Sequence, residues 1–343
     1  MSHEISQVNG ISEIVCGSGK APWHGLGEVV QGLLTANEAL TKAHLTWTVE
    51  PRKVAVNGVE LPLTDYQGMC RSDTGLCLGI VKGRYTPIQN AEAFDFFDSI
   101  CGQGEAVYDT AGALRGGKQV WLLAKVDGNT KICGDDYRTY ALLLTSHDGS
   151  QATQVNWVTE RVVCANTLSV AMRGAENVIK IRHTASWKEK AEVAARTLMA
   201  GQKYFASVQA ALESLGDHLL TKEQMSEFSK VLVPAKDEKE APTRTLNIRA
   251  ELNRLFDRGA GNHGATRYDA LQAVTDYADH GQTIRGENTR LEAGLLGAGA
   301  QLKQRAFDLL TSDDLMQSLL SKRVALSQSA SNSTTDFARL LGQ

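Results

Sequence analysis

The rhythm of apolar and polar positions changes about halfway along the chain. Between Trp47 and Cys164, short runs rich in β-branched and aromatic residues alternate with glycine-bearing breaks, at 47–56, 59–70, 76–85, 119–126, 137–145 and 151–163. This spacing predicts an antiparallel meander. Asn57-Gly58 separates the first two runs and marks a type I′ hairpin, whose central residues both need positive φ, and His147-Asp148-Gly149 supplies a turn between the last two. Within the region, Asn90 opens a helix whose Ala91, Phe94, Phe97 and Ile100 share one apolar face, so a helix is expected to lie on the sheet.

After one more short strand at 180–184 the period lengthens to that of a helix and stays there. Ser186 is an N-cap for a long helix running through Ala191, Ala194, Ala195, Leu198 and Phe205 toward Leu220, and Thr221-Lys222-Glu223-Gln224 reads as a capping box. Further helices are expected at 243–258, 266–280, 288–310 and 312–326. Upstream of the meander, residues 1–34 read as glycine-rich and irregular, and Thr35 caps a short helix bearing Ala36, Leu40 and Ala43. The charged run 236–240 between Pro234 and Pro242 is the predicted hinge. The expected fold class is α+β: an N-terminal antiparallel β-meander with packed helices, followed by an all-helical C-terminal region. The expected divisions are 1–46, 47–185 and 186–343, with the hinge at 234–242.

Composition narrows the function classes. With 343 residues and 42% hydrophobic content the chain can fill real cores. No stretch approaches the roughly 20 apolar residues of a membrane helix, and residues 1–10 lack the regions of a secretory signal, so no membrane partner and a cytoplasmic location are expected. The six cysteines are scattered with no CxxC pair, which indicates neither a zinc ribbon nor a disulfide framework. A formal net charge of −3 rules out a wholly basic surface but leaves room for one basic face.

Charge is in fact uneven. From 161 to 203 there are eight cations, Arg161, Arg173, Lys180, Arg182, Lys188, Lys190, Arg196 and Lys203, against three carboxylates, Glu176, Glu189 and Glu192. Trp157, Trp187 and Tyr204 lie in or beside the segment. Cations that neutralise phosphates next to rings on which bases stack are what a single-stranded nucleic acid requires. The competing reading is a solvated helix face with Lys188 and Glu192 as an i,i+4 pair. On the meander, strand alternation puts Lys82 and Arg84 on one face and Tyr85 on the other, although Gly83 between them equally marks a bulge. At the end of the last long run, Arg161 precedes Asn166, which is placed to cap a helix starting at 167 or 168. An arginine beside a helix N-terminus is an anion site, though capping alone would account for Asn166.

Catalytic patterns are weak. The histidines fall in separate segments with no HExxH spacing, and no GxSxG elbow occurs. Residues 112–118 have Walker-loop spacing, but Gln119 stands where a Ser or Thr must hold magnesium, and a strand rather than a helix follows; a glycine-rich turn is expected. Asp276, Asp279 and His280 share one helix at a spacing common on helical surfaces. No catalytic residue, metal site or cofactor is assigned, and a non-enzymatic role is the expectation.

Five blocks carry a resemblance. Pro22-Trp23-His24-Gly25-Leu26-Gly27, the run from Leu78 to Asn90, the run from Arg161 to Leu168, Ile181-Arg182-His183-Thr184 and the run from Arg267 to His280 resemble the phage/plasmid-like proteins grouped as domain of unknown function 932. The resemblance implies a home on mobile elements and brings no established activity. A β-meander under a helix, carrying basic and aromatic residues, also looks like the core of single-strand annealing proteins. The expectation is therefore a protein that binds single-stranded DNA and promotes annealing or recombination, using Lys82, Arg84, Tyr85, Arg161, Arg182, Trp187 and Lys188. No cofactor is needed, and a homo-oligomer goes with that role. Two alternatives stand beside it: a regulatory module that binds a host or phage protein, and a nucleic-acid-processing enzyme with an unrecognised site.

Overall fold

The computed structural model describes residues 5–17, 26–32, 34–101, 107–161, 163, 166–169, 178–191, 201–281 and 297–313. The Trp23-His24-Gly25 block, the middle of the long helix expected after Ser186, the start of the 288–310 helix and nearly all of the 312–326 helix lie outside them. No described helix is long and apolar enough to cross a membrane. The fold is mixed α+β, and the chain divides into two compact units. The first is Met1–Thr130, Asp136–Glu160 and Ala171–Ser207; the second is Lys131–Asp135, Arg161–Val170 and Val208–Gln343.

In the first unit the segment expected to be irregular already forms short strands: β1 (Gln7–Val8) pairs with β2 (Ile11–Ser12), and β3 (Ile14–Cys16) runs parallel to β4 (Glu28–Val29). Helix α1 (Ala36–Lys42) starts as its sequence dictates. Thr35 Oγ1 accepts from the Glu38 N–H at 3.2 Å, and Glu38 Oε2 accepts from the Thr35 N–H at 2.9 Å. Next come β5 (Val49–Arg52), the hairpin of β6 (Ala55–Val56) and β7 (Val59–Glu60), β8 (Tyr66–Arg71) and β9 (Cys77–Lys82). The hairpin turns on Asn57 (φ 51°) and Gly58 (φ 83°), the left-handed pair that Asn-Gly predicts. Helix α2 (Asn90–Cys101) buries Ala93, Phe94 and Phe97 but leaves Ala91 exposed.

The single meander expected from 47 onward is instead split. β5, β8 and β9 form their own three-stranded sheet, and β6–β7 stands apart. The large sheet is built from β10 (Val107–Leu114), β11 (Gln119–Ile132), β12 (Asp135–Ser146) and β13 (Thr153–Arg161), neighbours in chain order. β3 pairs with the outer side of β10, and β15 (Val178–Ile181) pairs with β13. Helix α2 intervenes between the two sets of strands and breaks the ladder. The pattern also passed over β10, because Ala111, Gly112 and Ala113 carry little β-propensity. They are there because the space is tight: a Cβ on Gly112 would come within 3.0 Å of the Glu13 carbonyl and 3.1 Å of the Trp121 ring. The Walker-like glycines make the turn between β10 and β11, with Arg115, Gly116 and Gly117 at φ 54°, 72° and 99°.

A buried polar network sits where β3, β8 and the β10–β11 turn meet. The Arg71 side chain is 1% exposed and Glu13 is 2% exposed, and the guanidinium donates to the two Glu13 oxygens at 3.0 and 2.6 Å. It also donates to both Asp73 oxygens at 3.0 and 2.7 Å and to the Gly116 carbonyl at 3.0 Å, and it lies 4.0 Å from the Trp47 ring centroid. Trp47 Nε1 donates to Glu13 Oε1 at 3.0 Å. Nearby, Asn90 Nδ2 donates to the Leu45 and Trp47 carbonyls, which fixes its amide orientation and leaves Oδ1 to accept from His147 Nε2 at 2.8 Å. His183 Nε2 meets Thr153 Oγ1 at 3.2 Å. The Nδ1 atoms of both histidines are buried without a partner.

The second unit is largely helical among its described residues. It comprises most of α3 (Gly201–Asp217), then α4 (Lys222–Leu232), α5 (Thr243–Arg258), α6 (Arg267–Asp276), a π-helical turn at Tyr277–Gly281 and α7 (Ala298–Thr311). Thr221 and Gln224 form the expected capping box. Leu252, Phe256, Leu271, Val274, Phe307 and Leu310 fill the core, and inside it Lys303 pairs with Asp279. In the charged run, Glu238 takes both Arg249 Nη atoms at 2.6 and 2.8 Å. β14 (Asn166–Leu168) corrects one expectation: Asn166 stands in extended backbone and caps no helix. The β-branched Val162, Val163 and Thr167 around it favour extended backbone over the single capping signal.

Candidate nucleic-acid interface

The seven residues expected to meet nucleic acid fall into three environments. Lys82, Arg84 and Arg182 are exposed, and none makes an ion pair among the described residues. Their backbones are neighbours. The Gln67 amide donates to the Tyr85 carbonyl at 2.6 Å, the Thr86 N–H donates to the His183 carbonyl at 3.1 Å, and the Tyr85 ring stacks on His183 with centroids 4.7 Å apart. Alternation along β15 buries Ile179 and Ile181 and turns Lys180 outward beside Arg182. Lys82, Arg84, Lys180 and Arg182 are thus four exposed cations brought to one region from two distant stretches of chain.

Tyr85 and Trp187 are occupied in other ways. One face of Tyr85 is covered by His183, and its hydroxyl donates to the Ser146 carbonyl at 2.8 Å. Burial, and then Asp148, hold that hydroxyl well above the ordinary tyrosine pKa. Trp187 is 6% exposed, with the Lys188 ammonium 5.5 Å from its ring centroid, and Lys188 pairs with Glu92 at 2.9 Å. Neither ring offers an open face on which a base could lie. The aromatic that does is one the sequence pattern did not single out. Tyr66 is 45% exposed and stands directly opposite Lys82 in the β8–β9 register, with Ile80 exposed two residues along the same face. That placement depends on the register of a hairpin containing a β-bulge between Met69 and Cys70, which residue spacing alone does not reveal.

Arg161 belongs to the second unit and is spent there. Its side chain is 1% exposed; Nε donates to Asp135 Oδ2 at 2.8 Å, Nη1 to Asn262 Oδ1 at 2.8 Å and to the Ala260 carbonyl at 3.2 Å, and Nη2 to the Gly261 carbonyl at 2.8 Å. Tyr268 donates its hydroxyl to the same Asp135 oxygen at 2.9 Å. The arginine is a clamp on the 260–262 loop. At Gly261 (φ 73°) an added Cβ would stand 2.7 Å from Arg161 Nη2 and 2.9 Å from Val163 Cγ1. Gly261→Ala is therefore expected to destabilise the second unit by about 1–3 kcal/mol through left-handed strain and overpacking. Urea unfolding checks this; a midpoint equal to wild type would show that the clamp tolerates displacement.

A cavity of about 610 Å³ opens beside this clamp within the second unit. Asp135, Glu213, Asp217 and Asp269 line it together with Cys133 and His263. Asp269 accepts from the His263, Ala265 and Thr266 N–H groups at 3.2, 3.0 and 3.1 Å, so it organises the loop ahead of α6. Burial raises the Cys133 thiol pKa, and Glu213, Asp135, Asp217 and Asp269 raise it further. A negative potential of that kind repels phosphates. Among the described residues no group of three or more His, Cys, Asp or Glu side chains is placed to hold a metal ion.

Residues 77–295 match the family model described as domain of unknown function (DUF932). The chain belongs to that family. In this DUF932 protein the matched stretch takes in Lys82, Arg84, Lys180 and Arg182 and the Arg161 clamp, while Tyr66 lies just before it. No curated protein and no solved structure matches the chain.

Proposed function

We propose that this DUF932 protein binds single-stranded nucleic acid on the outer face of β8–β9 and the adjoining β15 segment, in keeping with an annealing or recombination role on a mobile element. The observation that carries the reading is an exposed Tyr66 directly across from Lys82, on a strand that leads into the exposed Arg84 and, through the Thr86–His183 backbone bond, to the stretch bearing the exposed Arg182. Cations spaced along a surface neutralise successive phosphates, and an open ring accepts a base of any sequence. A duplex hides its bases in the stack, so Tyr66 gains nothing from it. Lys180 joins the cation set, and Trp187 acts by packing.

Mobility-shift titrations at two salt concentrations test the reading. On single strands, log affinity falls against log salt with a slope of about −0.7 per phosphate neutralised. Arg84→Ala and Arg182→Ala are each expected to flatten the slope by about that amount. Tyr66→Ala is expected to lower affinity by about 1–3 kcal/mol and leave the slope unchanged. Folded wild-type protein that binds no single strand at low salt would sink the proposal and favour a protein partner on this face.

A further inference from the structure

The two strands that carry Tyr66 and Lys82 also bring two thiols together. β8 and β9 are joined by a tight turn in which the Arg71 N–H donates to the Leu76 carbonyl at 3.0 Å and the Gly75 N–H to the Arg71 carbonyl at 3.0 Å. Antiparallel ladders alternate hydrogen-bonded and non-hydrogen-bonded pairs. With 71 and 76 bonded, the next register pair, Cys70 opposite Cys77, falls in the non-bonded site. In a regular ladder such facing residues have Cα atoms about 4.5 Å apart and side chains on one face; the bulge residue Leu78 falls beside this pair, and the two thiols still lie within hydrogen-bonding reach of each other. That Cα separation lies within the roughly 4.4–6.8 Å that a disulfide spans. Arg71, adjacent to Cys70, is locked by Glu13, Asp73 and the Gly116 carbonyl, so the strand end is fixed.

The two cysteines are both free thiols and differ in access: Cys77 is exposed and Cys70 is buried. Burial raises the Cys70 pKa, and the charge and thiol hydrogen bond of Cys77 raise it further. An exposed thiol backed by a shielded one that faces it across the ladder is the arrangement of an attacking and a resolving cysteine.

We propose that Cys70 and Cys77 are a redox-active dithiol that closes to a cross-strand disulfide by exchange with a low-molecular-weight disulfide such as oxidised glutathione. The Cys77 thiolate attacks one sulfur of the oxidant; the S–S bond breaks, one thiolate leaves, and Cys77 carries a mixed disulfide. Cys70 then gives up its proton and attacks the Cys77 sulfur, expelling the second thiolate. The two protein thiols are oxidised, the disulfide is reduced to two thiols, and the two protons lost by the protein are taken up by the leaving groups. The step is independent of nucleic-acid binding.

The test uses the folded full-length chain, incubated with oxidised glutathione, quenched with a thiol-blocking maleimide and digested with trypsin without reductant. Trypsin cuts after Arg71, between the two cysteines, so the disulfide appears as peptides 54–71 and 72–82 joined. The joined species is expected from the monomer band of a non-reducing gel, and it should disappear with dithiothreitol. Cys70→Ser should accumulate one glutathione on Cys77, while Cys77→Ser should leave Cys70 unmodified. Wild type that retains glutathione on Cys77 as Cys70→Ser does, thiols that stay unreacted, or a bridge found only between chains would each overturn the proposal.

Discussion

Arg71→Ala is expected to lower the stability of the first unit by about 3–5 kcal/mol, the cost of stranding a buried charge. Asp73 is 39% exposed and can turn to water, but Glu13, 2% exposed and bonded to the arginine through both oxygens, cannot. Trp47 would also lose the cation stacked 4.0 Å from its ring. The damage comes from the charge left behind more than from the contact removed, which gives a second, discriminating variant. Removing both charges in Glu13→Gln/Arg71→Met should restore much of what Arg71→Met alone loses, because no buried carboxylate is then left without its cation. Denaturant midpoints of the four proteins complete the cycle. A double variant as unstable as the sum of its singles would show that the two groups do not act as a pair.

Acid is the second large effect expected. Burial pushes the His147 pKa down to about 3, helped by His183 and Arg71, and pushes His183 down to about 4. Among the described residues neither Nδ1 has a hydrogen-bond partner, so a proton on His147 is a buried, unpaired cation; on His183 the Thr86 backbone and Asp148 offset part of the same burial cost. In the unfolded chain both titrate near 6.5. Between about pH 6.5 and 4 the unfolded state therefore binds protons that the folded state refuses. The stability these histidines contribute is fully present above pH 6.5 and drains away as pH falls, at about 1.4 kcal/mol per pH unit for each. Replacing them singly with glutamine should make the fall in melting temperature across this window shallower. Ring NMR signals assigned to His147 or His183 that titrate near pH 6.5 in the folded protein would refute the assignment.

What was legible in the sequence is what is decided locally. Thr35 with Glu38 and Thr221 with Gln224 announce helix starts within four residues, and Asn57-Gly58 announces its hairpin in two. The Thr266 box was harder to see because its third helical position is Asp269, an aspartate in place of the usual glutamate or glutamine. Long-range pairing was not legible. Arg161 read as a cation open to an anion, and nothing set Arg71 apart, because a buried arginine differs from an exposed one only in partners supplied by remote segments: the 260–262 loop for the first, Glu13 for the second. Tyr66 went unnoticed for a related reason. Its importance comes from standing opposite Lys82, and that register is set by a turn and a bulge between them. Trp187, prominent in the sequence beside its lysines, is a core residue.

The way the second unit gathers its pieces bears on the order in which the molecule can be made. Asn262 lies 101 residues after Arg161, and Tyr268 lies 133 residues after Asp135, the carboxylate it shares with that arginine. At roughly 5–20 residues per second, a ribosome needs on the order of 5–20 s to reach the loop that Arg161 must clamp. For that interval the guanidinium and Asp135 have only each other and water. The first unit's strands can pair early, whereas the clamp closes late, after a long loop has been brought back at an entropic cost. Refolding of the full chain should accordingly show the Tyr268 environment forming after the large sheet, and a chain cut before residue 260 should keep Arg161 solvated.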